Sequence, residues 1–250
     1  MDIYSQHQRQ VQEKTNNPRT IAYFKVFLWF SLALLITGGL ALGIPYLLPL
    51  ISKDATVLSR IYIGMIVASA IMMLPSYIIL IVQSFRRNTK VMTVAYLIYA
   101  VGQGILLSAL LFVLAPSSAA EMTGYYITIG LAFLATAGCF LVMGIFASIF
   151  KKTIPVLVPI IFVLLVGSLI ISLVNIFIGS SQISWIISFV VFGALLLITA
   201  VDIWRLRVMV ESGAVDDCPN IALWCAFTLY TDFIAIFVRI LIYLLASKRN

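Results

Sequence analysis

Charge is scarce in this 250-residue chain, where 10% of residues are Asp, Glu, Lys or Arg and 63% are hydrophobic. Water-soluble domains carry about a quarter charged and about half apolar residues. The balance excludes a hidden soluble domain, and the longest polar segment is the first twenty residues, MDIYSQHQRQVQEKTNNPRT. Histidine occurs once, as His7 in that segment, which removes imidazole acid–base chemistry from any apolar stretch. Three cysteines, Cys139, Cys218 and Cys225, show no CxxC spacing. A disulfide framework or a His/Cys metal or haem site is therefore not expected, and no resident cofactor is. No internal repeat of the kind that marks inverted-repeat transporters is visible. The net charge of +7 lacks the basic face that nucleic-acid binding requires. Its residues are scattered between apolar runs, so no nucleic-acid partner is expected.

What is present is apolar length. A helix needs about 20 predominantly apolar residues to cross a bilayer, and seven runs meet this: Ile21–Leu50, Ile61–Phe85, Val91–Leu114, Gly124–Phe150, Ile154–Phe177, Ile183–Trp204 and Ile221–Leu245. Gly38–Gly39 and Pro45 are expected kink or end points of the first, and Pro75 falls in the middle of the second. Short turns such as Arg86–Lys90, Lys151–Lys152 and Gly179–Gln182 force antiparallel neighbours. The expected fold is an all-α polytopic membrane protein, a compact seven-transmembrane-helix bundle. It comprises a polar cytoplasmic tail over 1–20, a membrane domain over 21–246 and a short tail over 247–250. The first run is too long for a signal-peptide core and is expected to remain as an anchor.

Lys and Arg set orientation. With the N-terminus inside, inner segments hold Arg9, Lys14, Arg19, Lys25, Arg86, Arg87, Lys90, Lys151, Lys152, Arg205 and Arg207. Outer segments hold Lys53, Arg60, Lys248 and Arg249, and Arg239 lies within the last run. A cytoplasmic N-terminus follows, and short loops favour a bacterial inner (plasma) membrane.

Ionisable groups inside a membrane are functional candidates by default, and the chain has few. Asp232 lies about 16 Å along its helix from Ile221, with no cation within one turn. Asp202 lies near the end of the sixth run, three residues before Arg205, which offers an ordinary ion pair on the same helix. Arg239 can snorkel to the outer interface, and Arg86 and Arg87 can serve simply as inner anchors. Asp202 and Asp232, if they meet, can share one proton, because like charges disfavour double ionisation. Losing it would make them repel and part the helices. Deprotonated, they are also hard oxygen ligands suited to calcium. Counting from Trp204 and Trp224 leaves the two acids about 9 Å apart in depth, a gap that tilt or an early start of the last helix must close.

The segment LYTDFIAIF around Asp232, the Asp at the inner end of the sixth helix, GQGILLSALL in the third and KKTIPVLVPIIFVLLVGSLIISLVNIF in the fifth resemble the Bax inhibitor-one-like (transmembrane Bax inhibitor motif) family. The resemblance implies seven helices and a pH-sensitive calcium leak channel. Asp202 and Asp232 would be its di-aspartyl sensor, with Arg86 as a basic residue that pairs with Asp202. Calcium would be the permeant or bound ion. The chain departs from the usual pattern at Gln103, Val201 and Ala235, where the family commonly has Glu, Tyr and Asn. The alternative function is a non-conducting regulator that binds a membrane protease or cell-death proteins. Small residues (Gly102, Gly104, Ala135, Ala137, Gly138) are available for helix contacts. An enzyme is not expected: intramembrane aspartyl proteases carry YD and GxGD, whereas Val201 and Thr231 precede the two acids here. A rhodopsin needs a lysine that Ile221–Leu245 lacks.

Overall fold

The computed structural model describes residues 18–51, 54–86, 88–116, 118–150 and 154–249. The tail with His7, together with Arg87, Lys53 and the Lys151–Lys152 turn, lies outside the described residues. Among those described, the chain is all-α. The long helices are α1 (Pro18–Ile51), α2 (Ala55–Arg86), α3 (Thr89–Leu114), α4 (Ala119–Ile149), α5 (Ile154–Ile178), α6 (Ser181–Glu211) and α8 (Pro219–Arg249). A single turn of helix, α7 (Ala214–Asp217), sits between the last two. Seven of these helices are long and apolar enough to cross a membrane, and the chain is an integral multi-pass membrane protein.

Several boundaries differ from those expected. α1 runs through Gly38–Gly39 and Pro45 without ending, which a membrane span tolerates because freed backbone groups find local partners. α6 continues seven residues beyond Trp204 and α8 begins five before Trp224, so those tryptophans mark no helix ends. Left-handed backbone occurs at Gly179 (φ 68°) and Gly213 (φ 77°), just after α5 and α6. Glycine adopts that conformation without the Cβ clash other residues suffer. At Gly179 the N–H closes α5 onto the Asn175 carbonyl at 2.8 Å, and the Asn175 side chain donates to Ser180 O and Ser184 Oγ. That turn places α6 directly after α5.

Hydroxyls within the spans are hidden in a common way. Ser69, Ser76, Ser108, Thr128, Thr136 and Thr199 each donate to a carbonyl three or four residues back, at 2.7–3.0 Å. Such back-bonding satisfies a polar group that lipid would leave bare. Large side chains such as Phe177 and Phe85 are exposed on helix surfaces, as expected where the surroundings are hydrocarbon.

The chain parts into two units. The first holds the described residues up to Ala115 and Val208–Phe227; the second holds Pro116–Arg207 and the residues from Thr228 onward. In the first, α3 carries a ladder of contacts to α1. The Tyr96 hydroxyl donates to Trp29 O at 3.2 Å, the Thr37 hydroxyl donates to Ala100 O at 3.1 Å, and Gly104 lies against Leu40 and Thr37. Contacts that advance in the same direction along both chains make α1 and α3 parallel. α2 runs the opposite way, with Tyr62 stacked on Phe112 (3.9 Å) and Met73 against Gly102. Phe227 gathers Tyr77, Tyr96, Tyr99 and Trp224 at centroid distances of 5.0–5.9 Å. Asn220 is buried and binds two elements at once: its Nδ2 donates to Gln83 O (3.0 Å) and its Oδ1 accepts from the Thr89 hydroxyl (2.6 Å). Asn220→Ala leaves both groups short of a partner. It should destabilise the chain by about 1–3 kcal/mol, read as a lower unfolding midpoint in detergent, whereas exposed Asn88→Ala should cost only a helix cap of about 1 kcal/mol.

In the second unit, Ala147, Ile154, Ile161 and Val201 form a core packed by Leu197, Ile198 and Trp204, which ties α4, α5 and α6 together. Phe233 on α8 packs against Phe133 and Phe140 of α4, both at 5.3 Å. Tyr243 meets Phe192 of α6 edge-on at 6.2 Å. Val201 and Phe233 each neighbour one of the two acids, so apolar packing fixes where both carboxyls stand.

Candidate functional site: two buried acids between α6 and α8

Asp202 on α6 and Asp232 on α8 both belong to the second unit, and both are buried, at 8% and 7% exposure. Asp202 lies nine residues before the end of α6 and Asp232 thirteen after the start of α8. Measured from those ends, the two positions differ by about 6 Å along the helices, less than counting from the tryptophans suggested. Asp202 is near enough for its charge to act directly on Asp232.

Their surroundings differ. Asp202 Oδ1 accepts from Arg205 Nη1 at 3.2 Å, one turn along α6, and the Arg205 side chain is half exposed. This is the same-helix ion pair that the i, i+3 spacing offered. With one partner in solvent, such a pair is worth at most about 1 kcal/mol. Asp232 has no cation partner among the described residues. The Thr199 hydroxyl lies within hydrogen-bonding reach of its carboxyl, and its Oδ2 is buried with no hydrogen-bond partner among the described residues. Thr199 stands on α6, so this neighbour of Asp232 belongs to another helix.

Thr199 went unremarked in the sequence. The signal available was its spacing, since Thr199 and Asp202 stand three apart and share a face of α6. Arg86 ends α2 in the first unit, with its side chain exposed. Arg239 is half-buried on α8 and forms no ion pair with a described residue. Among the small residues, Gly102 and Gly104 are used in packing inside the first unit, while nothing approaches Gly138. A cavity of about 470 Å³ in the first unit is lined by side chains such as Tyr77, Phe85 and Trp224, with Ser84 and Asn220. No carboxylate or cation is among the residues that line it. No group of three or more His, Cys, Asp or Glu occurs among the described residues, so a cation at the pair would meet two carboxylates and need its remaining oxygens from water, hydroxyls or carbonyls.

A family model described as an inhibitor of apoptosis-promoting Bax1 matches residues 21–250. The chain belongs to the Bax inhibitor-one-like family. Members of known sequence include the inner membrane protein YbhL of Escherichia coli K12, 25% identical over 226 residues that cover 87% of this chain and 88% of that protein. A Deinococcus radiodurans protein is 27% identical over 231 residues, 92% of each chain. An uncharacterized membrane protein of Streptococcus pyogenes serotype M3 is 31% identical over 159 residues, 62% of this chain and 64% of that one. No solved structure matches. In this Bax inhibitor-one-like chain, both acids fall within the matched region.

Proposed function

We propose that this protein is a pH-gated cation leak channel, with calcium as the permeant ion and the Asp202–Asp232 pair as gate. It would work in a bacterial inner membrane with its N-terminus in the cytoplasm. The observation that carries the reading is the asymmetry of two neighbouring buried acids: Asp202 has a cation in Arg205, and Asp232 has none among the described residues. The proton of the pair then resides on Asp232. Thr199 suits this state, because it gives its single hydroxyl proton to Leu195 O at 3.0 Å and offers lone pairs to a protonated carboxyl. When Asp232 loses that proton, two like charges face each other in a poorly solvated space, and separation of α6 from α8 relieves the repulsion. Acid therefore holds the gate closed and alkali releases it. Arg86, by family resemblance, is the cation that would take up Asp202 after release.

The test is calcium efflux from dye-loaded proteoliposomes of the purified chain across pH 5.5 to 8. Efflux is expected to rise with pH and to saturate. A flat profile, or protein-free leakage of the same size, would remove the channel reading in favour of a non-conducting regulator.

A further inference from the structure

The cavity in the first unit lies outside the acid pair, and its walls have a direction. Tyr77, Ile81 and Phe85 recur every four residues on α2 and line one wall, as neighbours on a single helix face do. Ile221 and Trp224, three apart on α8, line another. The α2 stripe is also an outer surface of a membrane span, since Tyr77 is 45% and Phe85 82% exposed. The cavity therefore opens toward hydrocarbon. Its volume of about 470 Å³ falls in the usual range of ligand sites, about 300–1,000 Å³. Tyr77 and Phe85 stand about 12 Å apart along α2, and one leaflet contributes about 15 Å of hydrocarbon to a bilayer.

Polar groups stand at one end only. Ser84 and Asn220 line the cavity near the end of α2 and the start of α8. Arg86, exposed, follows Phe85 and ends α2. Lys90, also exposed, follows Thr89, whose hydroxyl donates to Asn220 Oδ1. Neither α2 nor α3 contains an Asp or Glu. Acids near the start of α8 are Glu211 on α6 and Asp216 and Asp217 on α7, and α7 packs against α1, where Arg19 and Lys25 are exposed. An apolar slot about one leaflet deep, with a hydroxyl and an amide at its mouth and two cations beside them, matches one chain and the headgroup of an acidic lipid. Basic pockets between membrane helices hold such headgroups.

We infer that this cavity binds an anionic phospholipid, with one acyl chain along Tyr77, Ile81 and Trp224 and the phosphate beside Arg86 and Lys90. No acid of the chain takes part, so such a lipid binds whether or not the protein passes calcium.

The test places the full chain in dioleoylphosphatidylcholine vesicles with rising fractions of phosphatidylglycerol or phosphatidylcholine whose chains are brominated, because bromine quenches a tryptophan that it touches. The Trp224 signal is read as the difference between the wild-type chain and Trp224→Phe. A second reading comes from a chain carrying Trp29→Phe, Trp185→Phe and Trp204→Phe, in which Trp224 alone fluoresces. Each basic side chain near anionic lipid adds about a five-fold preference, so half-quenching of Trp224 should need about twenty-fold less brominated phosphatidylglycerol than brominated phosphatidylcholine. Equal fractions would mean contact with bulk lipid only, and no quenching by either lipid would mean that no chain enters; each result overturns the site. Arg86→Gln combined with Lys90→Gln should make the two fractions equal and leave quenching by brominated phosphatidylcholine as it was. A preference that survives this double substitution overturns the placing of the headgroup.

Discussion

Asp232→Asn is expected to abolish the pH dependence of calcium efflux while leaving the protein folded. The amide keeps the shape of the carboxyl and cannot exchange a proton in the working range. It stays neutral, so the repulsion that parts α6 from α8 at high pH never arises, and efflux should remain at its acid-limit level throughout. The expected size is large. Two unit charges about 5 Å apart at an effective dielectric of about 20 repel by about 3 kcal/mol, which shifts a two-state equilibrium by about two orders of magnitude. Asp202→Asn is the less clean experiment, because it also removes the acceptor of Arg205. Efflux from Asp232→Asn that still climbs with pH would show that the gate is elsewhere. Because Oδ2 has no partner among the described residues, the substitution breaks few bonds, and its unfolding midpoint should lie near that of the wild type.

The largest expected loss of stability comes from Gly104→Val. A Cβ at Gly104 would stand 2.9 Å from Leu40 Cβ and 3.1 Å from Thr37 Cα. The second of these is backbone, which cannot swing aside, so α1 would have to move away from α3. That movement would also stretch the Thr37 bond to Ala100 O. Overpacking of this kind costs about 1–3 kcal/mol, and the valine adds two further methyl groups to the same contact. The unfolding midpoint in detergent should fall by several degrees. Gly102→Ala is the milder neighbour, since its closest contact is the side chain of Met73 at 2.7 Å, which has other rotamers to adopt. Gly64→Ala meets nothing within 4 Å and should be neutral or slightly stabilising, because glycine is a poor helix former. Equal effects at Gly64 and Gly104 would contradict the close approach of α1 to α3.

The seven helices were legible because apolar length is a coarse property that survives any detail of packing. Their ends were not. α6 continues through Trp204, Arg205 and Arg207 to Glu211, and α2 begins at Ala55, ahead of Arg60. Charged residues are tolerated in a helix that leaves the hydrocarbon, so loss of hydropathy marks the membrane boundary and not the helix end. Asp232 was conspicuous because a carboxylate at depth is costly. Thr199 was not, because a threonine in a span almost always bonds back along its own helix, as this one also does. Nothing in local sequence separates Gly104 from Gly64; only the neighbouring helix does. The scarcity of ionisable groups at depth raised the pairing of the two acids before family likeness did, and the i, i+3 spacing offered Arg205, which the structure places 3.2 Å from Asp202.

The burial of α8 bears on how the chain is made. It is the most enclosed of the seven spans, with 44% of its central window buried against 11% for α4 and α5, and it carries the acid that hydrocarbon accepts least. It is also the last to leave the ribosome. Thr199 and Asp202, the groups that receive Asp232, are already in the bilayer on α6 by then. α8 therefore reaches the bilayer with a finished neighbour to pack against as well as an apolar surface of its own. A nascent chain stopped before Pro219 leaves Phe133 and Phe140 of α4 and Phe192 of α6 without the rings of Phe233 and Tyr243 that they pack against.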